Sequence, residues 1–201
     1  MCELAPEYAA ILAFDVKIEK DAEELATDLG VRLFKADIIY HLFDQFTAYM
    51  RDLQEQKKRE MAPMAIFPCV LHIVPGCVFT KRSPLVIGVE VTQGSVRIGT
   101  PICTINPSDK TPVYLGRVTS IELNHRPVEV VRPGQPAVAI KLEVSSYEPQ
   151  KMLGRHFTEQ STLISKLTRT SIDCLKEGFR DQLSKEEWGL VAKLKKELGV
   201  I

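Results

Sequence analysis

The longest regular pattern in the chain runs from Asp37 to Met61. There Ile39, Leu42, Phe43, Phe46, Tyr49, Met50 and Leu53 recur at the i, i+3, i+4, i+7 spacing of a helix with one apolar stripe. Asp37 stands at the expected N-cap and Pro63 stops the pattern. Beyond Leu53 the stripe ends, and Gln54 to Glu60 is polar on every face, as in a helix solvated all round. At about 1.5 Å per residue, roughly 25 residues reach about 37 Å, so 37–62 reads as a long connecting helix between two globular parts. An ordinary surface helix with a frayed tail is the alternative.

Ahead of this helix, Ala9 to Val16 is an apolar run without alternation, the mark of a strand covered on both faces. Asp21 to Leu29 has helical spacing and closes on Gly30, and Val31 to Phe34 reads as a second strand. Strand, helix, strand, helix predicts two parallel strands joined by a right-handed crossover. Two strands make a poor independent sheet, so 1–36 reads as the second half of an α/β domain whose first half lies outside this sequence.

From Ile66 to Val144 the pattern changes to short β runs with turn residues between them. Residues 70–74 precede Pro75-Gly76, residues 86–91 precede Gln93-Gly94, and 96–99 lead into Thr100-Pro101. Residues 113–124 follow Asn106 to Pro112, and 137–144 follow Pro133-Gly134. In the last run Val138, Ile140, Leu142 and Val144 share one face, with Lys141 and Glu143 on the other. Strands at this spacing predict a small closed antiparallel β-barrel over 63–150, with an open sandwich as the alternative.

Helical spacing returns after Pro149. Thr158 is placed to cap a piece carrying Leu163, Ile164 and Leu167, and Thr170 to Asp173 resembles a capping box for a second piece. Ser184 to Glu187 opens a final helix with Trp188, Val191, Leu194, Lys195 and Leu198, closed by Gly199. Residues 151–201 therefore read as a helical cap on the barrel. The fold class is α+β multidomain: a partial βαβα unit, a long helix, a barrel and C-terminal cap helices.

Charge changes the picture only locally. The total is zero, with 26 Lys/Arg and 26 Asp/Glu, which speaks against a dedicated DNA binder. Residues 1–62 carry an excess of five acids, whereas 63–150 and 151–201 carry excesses of two and three bases. No apolar run approaches the length of a membrane span and no signal peptide opens the chain. Five scattered cysteines without C-x-x-C spacing fit reduced thiols in a cytoplasmic protein.

A search for catalytic motifs finds none. Gly94 to Gly99 has phosphate-loop spacing, but Thr100 stands where the lysine is needed. His41, His72, His125 and His156 lack ligand spacing, so no metal site is predicted. Cys69 and Cys77 flank His72, which suggests a thiol nucleophile; burial of Cys69 as a small hydrophobe is the stronger expectation. Two binding surfaces remain. Phe79, Lys81, Arg82, Asn124, His125, Arg126, Arg155 and His156 mix basic and flat side chains in predicted loops, a composition suited to single-stranded or terminal RNA. Trp188 with Lys195, near Arg180, suits an acidic-apolar peptide, or else the indole simply seals the last helices onto the barrel.

The run Gly88 to Thr100 resembles the second-type β-barrel of translational GTPases. In colinear order, YAAILAFDV, GVRLFKADIIYHLFDQFTAYM, RIGTPICTI, VTSIELNHR, MLGRHF, SIDCLK and EEWGLVAKLKKELGVI are similar to the carboxy-terminal part of the eukaryotic initiation factor 5B family. Bacterial initiation factor two belongs to the same group, and the resemblance covers nearly the whole chain. It implies the end of a third domain (1–36), a long helix and a fourth domain, in a monomeric cytoplasmic factor that promotes ribosomal subunit joining. It implies that Gly88, Val89, Asn124, His125, Arg126, Arg155 and His156 lie near the acceptor end of initiator methionyl-tRNA. It also implies that Arg180, Trp188, Val191, Lys195 and Leu198 meet the acidic carboxy tail of initiation factor 1A. GTP and magnesium would belong to a GTPase domain outside this sequence, leaving this chain without cofactor or catalysis of its own. Two rivals from other classes stand beside this reading. One is a small-molecule enzyme with a cleft near His72 and Cys69, the other a structural adaptor using the cap helices alone.

Overall fold

The computed structural model describes residues 8–106, 110–145 and 147–200. The chain divides into two compact units, Met1–Glu60 and Met61–Ile201. The first holds β1 (Ala10–Phe14), α1 (Lys20–Asp28), β2 (Arg32–Ala36) and most of α2 (Ile39–Met61). β1 and β2 pair in parallel, from Ala10 opposite Arg32 to Phe14 opposite Ala36, as the strand–helix–strand order requires. Gly30, at φ +67°, ends α1: its N–H donates to Thr27 O and that of Val31 donates to Ala26 O, closing the last turn.

The stripe of α2 is narrower than its spacing suggests. Leu42 is buried, and Phe46 and Tyr49 meet the Phe34 ring at 6.0 and 5.3 Å, while Ile39 and Phe43 are exposed. The helix starts at Ile39, with His41 and Leu42 donating to Ile38 O, so Ile38 holds the cap position expected of Asp37. Through 54–60 it stays unbroken, with Gln56 bonded to Glu60 at 3.1 Å and Arg59 paired with Glu55 at 3.7 Å, pairs worth a few tenths of a kcal/mol each, and Lys57 over the Tyr8 ring at 5.2 Å. β1 is not covered on both faces within this unit: Ile11, Leu12 and Phe14 are each about half exposed.

The second unit is built on β3 (Cys69–Thr80), β4 (Leu85–Gly94), β5 (Val96–Arg97), β6 (Pro101–Ile105), β7 (Pro112–Leu123), β8 (Arg126–Pro127), β9 (Val130–Val131), β10 (Val138–Glu143) and β11 (Thr162–Ser165). Two helices follow, α3 (Arg169–Gly178) and α4 (Lys185–Glu197). Six strands close a ring in the order β4, β3, β11, β6, β7, β10 and back to β4, every pair antiparallel. This is the expected closed barrel. Val138, Ile140 and Leu142 point into it, and Lys141 pairs with Glu143 at 2.6 Å outside.

Several local expectations fail for physical reasons. Pro75-Gly76 is no chain reversal: β3 runs through it, absorbing extra residues as an irregularity between Ile73 and Val78, and the reversal comes after Thr80. Residues 101–105 form β6, and 162–165 form β11 where a helix was expected. Both strands are covered twice, by barrel core inside and by α3 and α4 outside. Ile102 and Leu163 join the barrel core while Cys103 and Ile164 join the helical cluster, so no polar alternation marks them. The barrel therefore extends to Ser165, and only the remainder is helical cap. Thr158 caps no helix; its N–H donates to Ser161 Oγ in a local turn.

The capping box of α3 is formed by Thr168 and Ser171, not by Thr170 to Asp173. That of α4 is Ser184 with Glu187, as expected.

Gly94 fixes the turn out of β4. Its φ is +71°, and a Cβ there would lie 1.9 Å from Pro68 O. Gly94→Ala is expected to cost more than about 2 kcal/mol, read as a lower urea midpoint at unchanged slope. Gly134→Ala, at φ +84° with nothing within 4 Å of its Cβ, is the matched control and should cost about 1 kcal/mol.

Candidate nucleic-acid and peptide interface

The barrel's antiparallel connectivity assigns every loop to one of two ends. The β3–β4 turn and the connection from β10 to β11 lie at one end. The β7–β8 turn lies at the other, where β4 leaves and β10 enters. The seven residues expected near an acceptor end are thereby separated. Asn124 and His125 form a two-residue turn with φ of +50° and +61°, closed by pairing of Leu123 with Arg126, and Asn124, His125 and Arg126 are all exposed. This is the geometry of a type I′ hairpin, and Asn and His tolerate it better than most residues.

A row of paired positions, Gly88–Ala139–Glu122, runs across β4, β10 and β7 towards that turn. Gly88 is on this wall but is covered, since a Cβ there would lie 2.6 Å from Cys77 Cβ. Val89 offers no side chain to a partner. It is fully buried, because alternation along β4 turns it into the core.

Arg155 and His156 lie at the opposite end. Leu153 and Phe157 pack into that end of the barrel core, and Gly154, at φ +88°, lets the loop return on itself. His156 is half-buried and committed to this loop: its Nδ1 accepts the Met152 N–H at 3.1 Å. Arg155 alone of the two is exposed.

On α4, Trp188, Val191, Lys195 and Leu198 share a face. Val191 is buried, and Trp188 and Leu198 pack half-buried against the cluster that α3 and α4 form on the barrel wall. Most of the indole thus seals the helices, and Val191 is no contact residue. Arg180 is exposed in the single 3-10 turn ahead of α4.

Two basic residues were missed. Arg97 and Arg132 line one wall of a groove of about 800 Å³, with Asp181, Glu186 and Glu187 on the α4 wall. The Arg97 guanidinium lies 3.4 Å over the Phe67 ring, and its Nε is buried without a hydrogen-bond partner. Burial, and then the Arg132 charge, lowers its pKa, against the pull of Glu187. Only the alternation of 96–99 hinted at Arg97, since an arginine between Val96 and Ile98 reads as outward-facing.

A thiol nucleophile has no support. Cys69 points into the core and His72, three residues on, points out, so the two lie on opposite faces of β3. Among the described residues Cys69, Cys77, Cys103 and Cys174 are free thiols, and no group of His, Cys, Asp or Glu is arranged to hold a metal. Cys2 lies outside the described residues. No described helix is long and apolar enough to cross a membrane.

A family profile described as elongation factor Tu domain 4 matches residues 67–164, and one described as translation-initiation factor 2 matches residues 3–47. Eukaryotic translation initiation factor 5B of Homo sapiens is 50% identical over all 201 residues. That of Saccharomyces cerevisiae is 46% identical over an alignment spanning the whole chain. The chain belongs to the translation initiation factor 5B family. It spans 16% of the length of the human factor and 20% of the yeast one. The solved structure of GDP-bound aIF5B from Aeropyrum pernix is 27% identical with a TM-score of 0.57, covering 98% of this chain and 31% of that one. The elongation-factor profile ends at Ile164, inside β11.

Burial pushes the Cys69 and Cys103 thiols up to about 12 from the ordinary 9.0. Both are neutral at physiological pH, and folding keeps them so. Their contribution to stability is complete below pH 9 and declines above it, by up to about 1.4 kcal/mol per pH unit for each thiol. Urea titrations between pH 7 and 10.5 should show a steeper loss above pH 9 in the natural chain than in the Cys69→Ala/Cys103→Ala variant. Parallel losses would contradict the assignment.

Proposed function

We propose that this chain is the RNA- and protein-holding part of a translation initiation GTPase that promotes ribosomal subunit joining in the cytoplasm. In this reading the β7–β8 turn receives the acceptor end of initiator methionyl-tRNA, with Asn124, His125 and Arg126 making the contacts and Ala139 and Glu122, next to the covered Gly88, as the adjoining wall. The observation that carries it is the strained, exposed turn, two consecutive positive-φ residues followed by an arginine. A pre-set donor cluster of this kind binds a terminal nucleotide with little ordering cost. Arg155 and His156 drop out of the contact set, being at the other end. Initiation factor 1A's acidic tail is assigned to the exposed margin of α4, through Lys195, Arg180 and the accessible part of Trp188. GTP and magnesium belong to a GTPase domain outside this chain.

Titration with charged and uncharged initiator tRNA at two salt concentrations tests the reading. Charged tRNA should bind more tightly, and Asn124→Ala/Arg126→Ala should weaken it about tenfold or more, with a shallower salt dependence. Equal binding of both forms, untouched by the substitutions, would overturn it. Binding of an acidic tail peptide alone, read from the fluorescence of Trp188, the single tryptophan, would leave the adaptor reading in its place.

A further inference from the structure

We propose that the barrel end opposite the Asn124–Arg126 turn is a second surface for single-stranded RNA, independent of the acceptor-end site. The fold gathers two stretches far apart in sequence at this end. The β3–β4 turn brings Phe79, Lys81 and Arg82, and the β10–β11 connection brings Tyr147, Lys151 and Arg155. The two stretches are tied together, since Glu159 Oε2 accepts the N–H of Gly76 on β3 at 3.3 Å.

Charge and exposure both favour RNA. Lys81, Arg82 and Arg155 are exposed and Lys151 half-buried, and none of the four takes part in an ion pair among the described residues. Of the carboxylates described on these two stretches, Glu148 and Glu159, the second is occupied by the Gly76 N–H. At the other end Arg126 stands beside Glu122 and Glu129, while Arg97 and Arg132 face the carboxylates of Asp181, Glu186 and Glu187 across the groove. Phe79 is 69% exposed and Tyr147 99% exposed, although the barrel has a core in which Phe157 is buried.

Two uncovered rings among unpaired cations form the combination that holds a single strand: cations neutralise phosphates and flat faces stack on bases, without sequence readout. Two separated, exposed flat faces flanked by cations match the alternation of bases and phosphates along a strand, and competition by polyglutamate separates RNA from an acidic protein. Arg155 is also held ready. The loop 152–157 is fixed by the His156 Nδ1 bond, by Gly154 N–H to Phe157 O at 2.7 Å, by the buried Phe157 and by the partly buried Leu153.

The test is fluorescence anisotropy of the whole 201-residue chain with a labelled twelve-nucleotide polyuridylate across a salt series. Lys81→Gln/Arg82→Gln/Arg155→Gln should weaken binding at least tenfold and lower the salt slope by about two, near 0.7 per lost phosphate contact. Phe79→Ser/Tyr147→Ser should weaken it about tenfold at unchanged slope. Lys185→Gln/Lys193→Gln/Lys196→Gln removes equal charge from exposed positions on α4 and should leave the affinity within twofold. All the altered side chains are exposed, so circular dichroism should be unchanged. The proposal is overturned if the first two variants bind like the natural chain, or if the α4 variant loses as much. It is also overturned if polyglutamate competes at the same charge concentration as polyuridylate, which would assign this end to an acidic protein.

Discussion

The structure depends on the insertion of one four-residue strand between two others. β11 pairs with β3 on one side and with β6 on the other, and without it the six-strand ring is an open sheet with two unpaired edges. Side chains reinforce the seam. Ser165, fully buried, accepts the Cys69 N–H on its Oγ at 3.0 Å, and Thr104 donates its hydroxyl to Thr162 O at 2.9 Å. Each polar group at the seam is thereby satisfied in a place where an orphan would cost about 1–3 kcal/mol. Closure also defines two ends, and everything proposed about binding follows from which loops share an end.

The same seam joins the two hydrophobic clusters of the second unit. β6 and β11 present Ile102 and Leu163 to the barrel interior and Cys103 and Ile164 to α3 and α4. The helices are thus a layer on the barrel wall, started by two reciprocal capping boxes and locked by Phe67 against Phe179 at 5.8 Å. Arg97, flat on Phe67, carries the barrel's charge up to this layer.

Legibility in the sequence followed exposure. Strands with one wet face, such as β10 with Lys141 and Glu143 outward, were readable from alternation. The parallel β1–β2 pair was readable from element order. β6 and β11 were not, because a strand wrapped on both sides has no polar beat, and Leu163, Ile164 and Leu167 fall at helical spacing by coincidence. Pro75-Gly76 misled because a bulge uses the same residues as a turn. For the binding residues, sequence proximity and chemistry selected Asn124 to Arg126 and Arg155 with His156 together, and only the strand directions separate them. Burial removed Val89 and Val191, whose positions on a strand and a helix look accessible until the facing layer is known.

The claim that β11 completes the barrel is open to direct measurement by native-state hydrogen exchange. The amides of Leu163, Ile164 and Ser165 should exchange only through global unfolding, with the same opening free energy as Leu71 on β3 and Cys103 on β6. Exchange of the β11 amides several orders of magnitude faster, with those of β3 and β6 still protected, would show that the strand is a loose flap and that the ring is not closed.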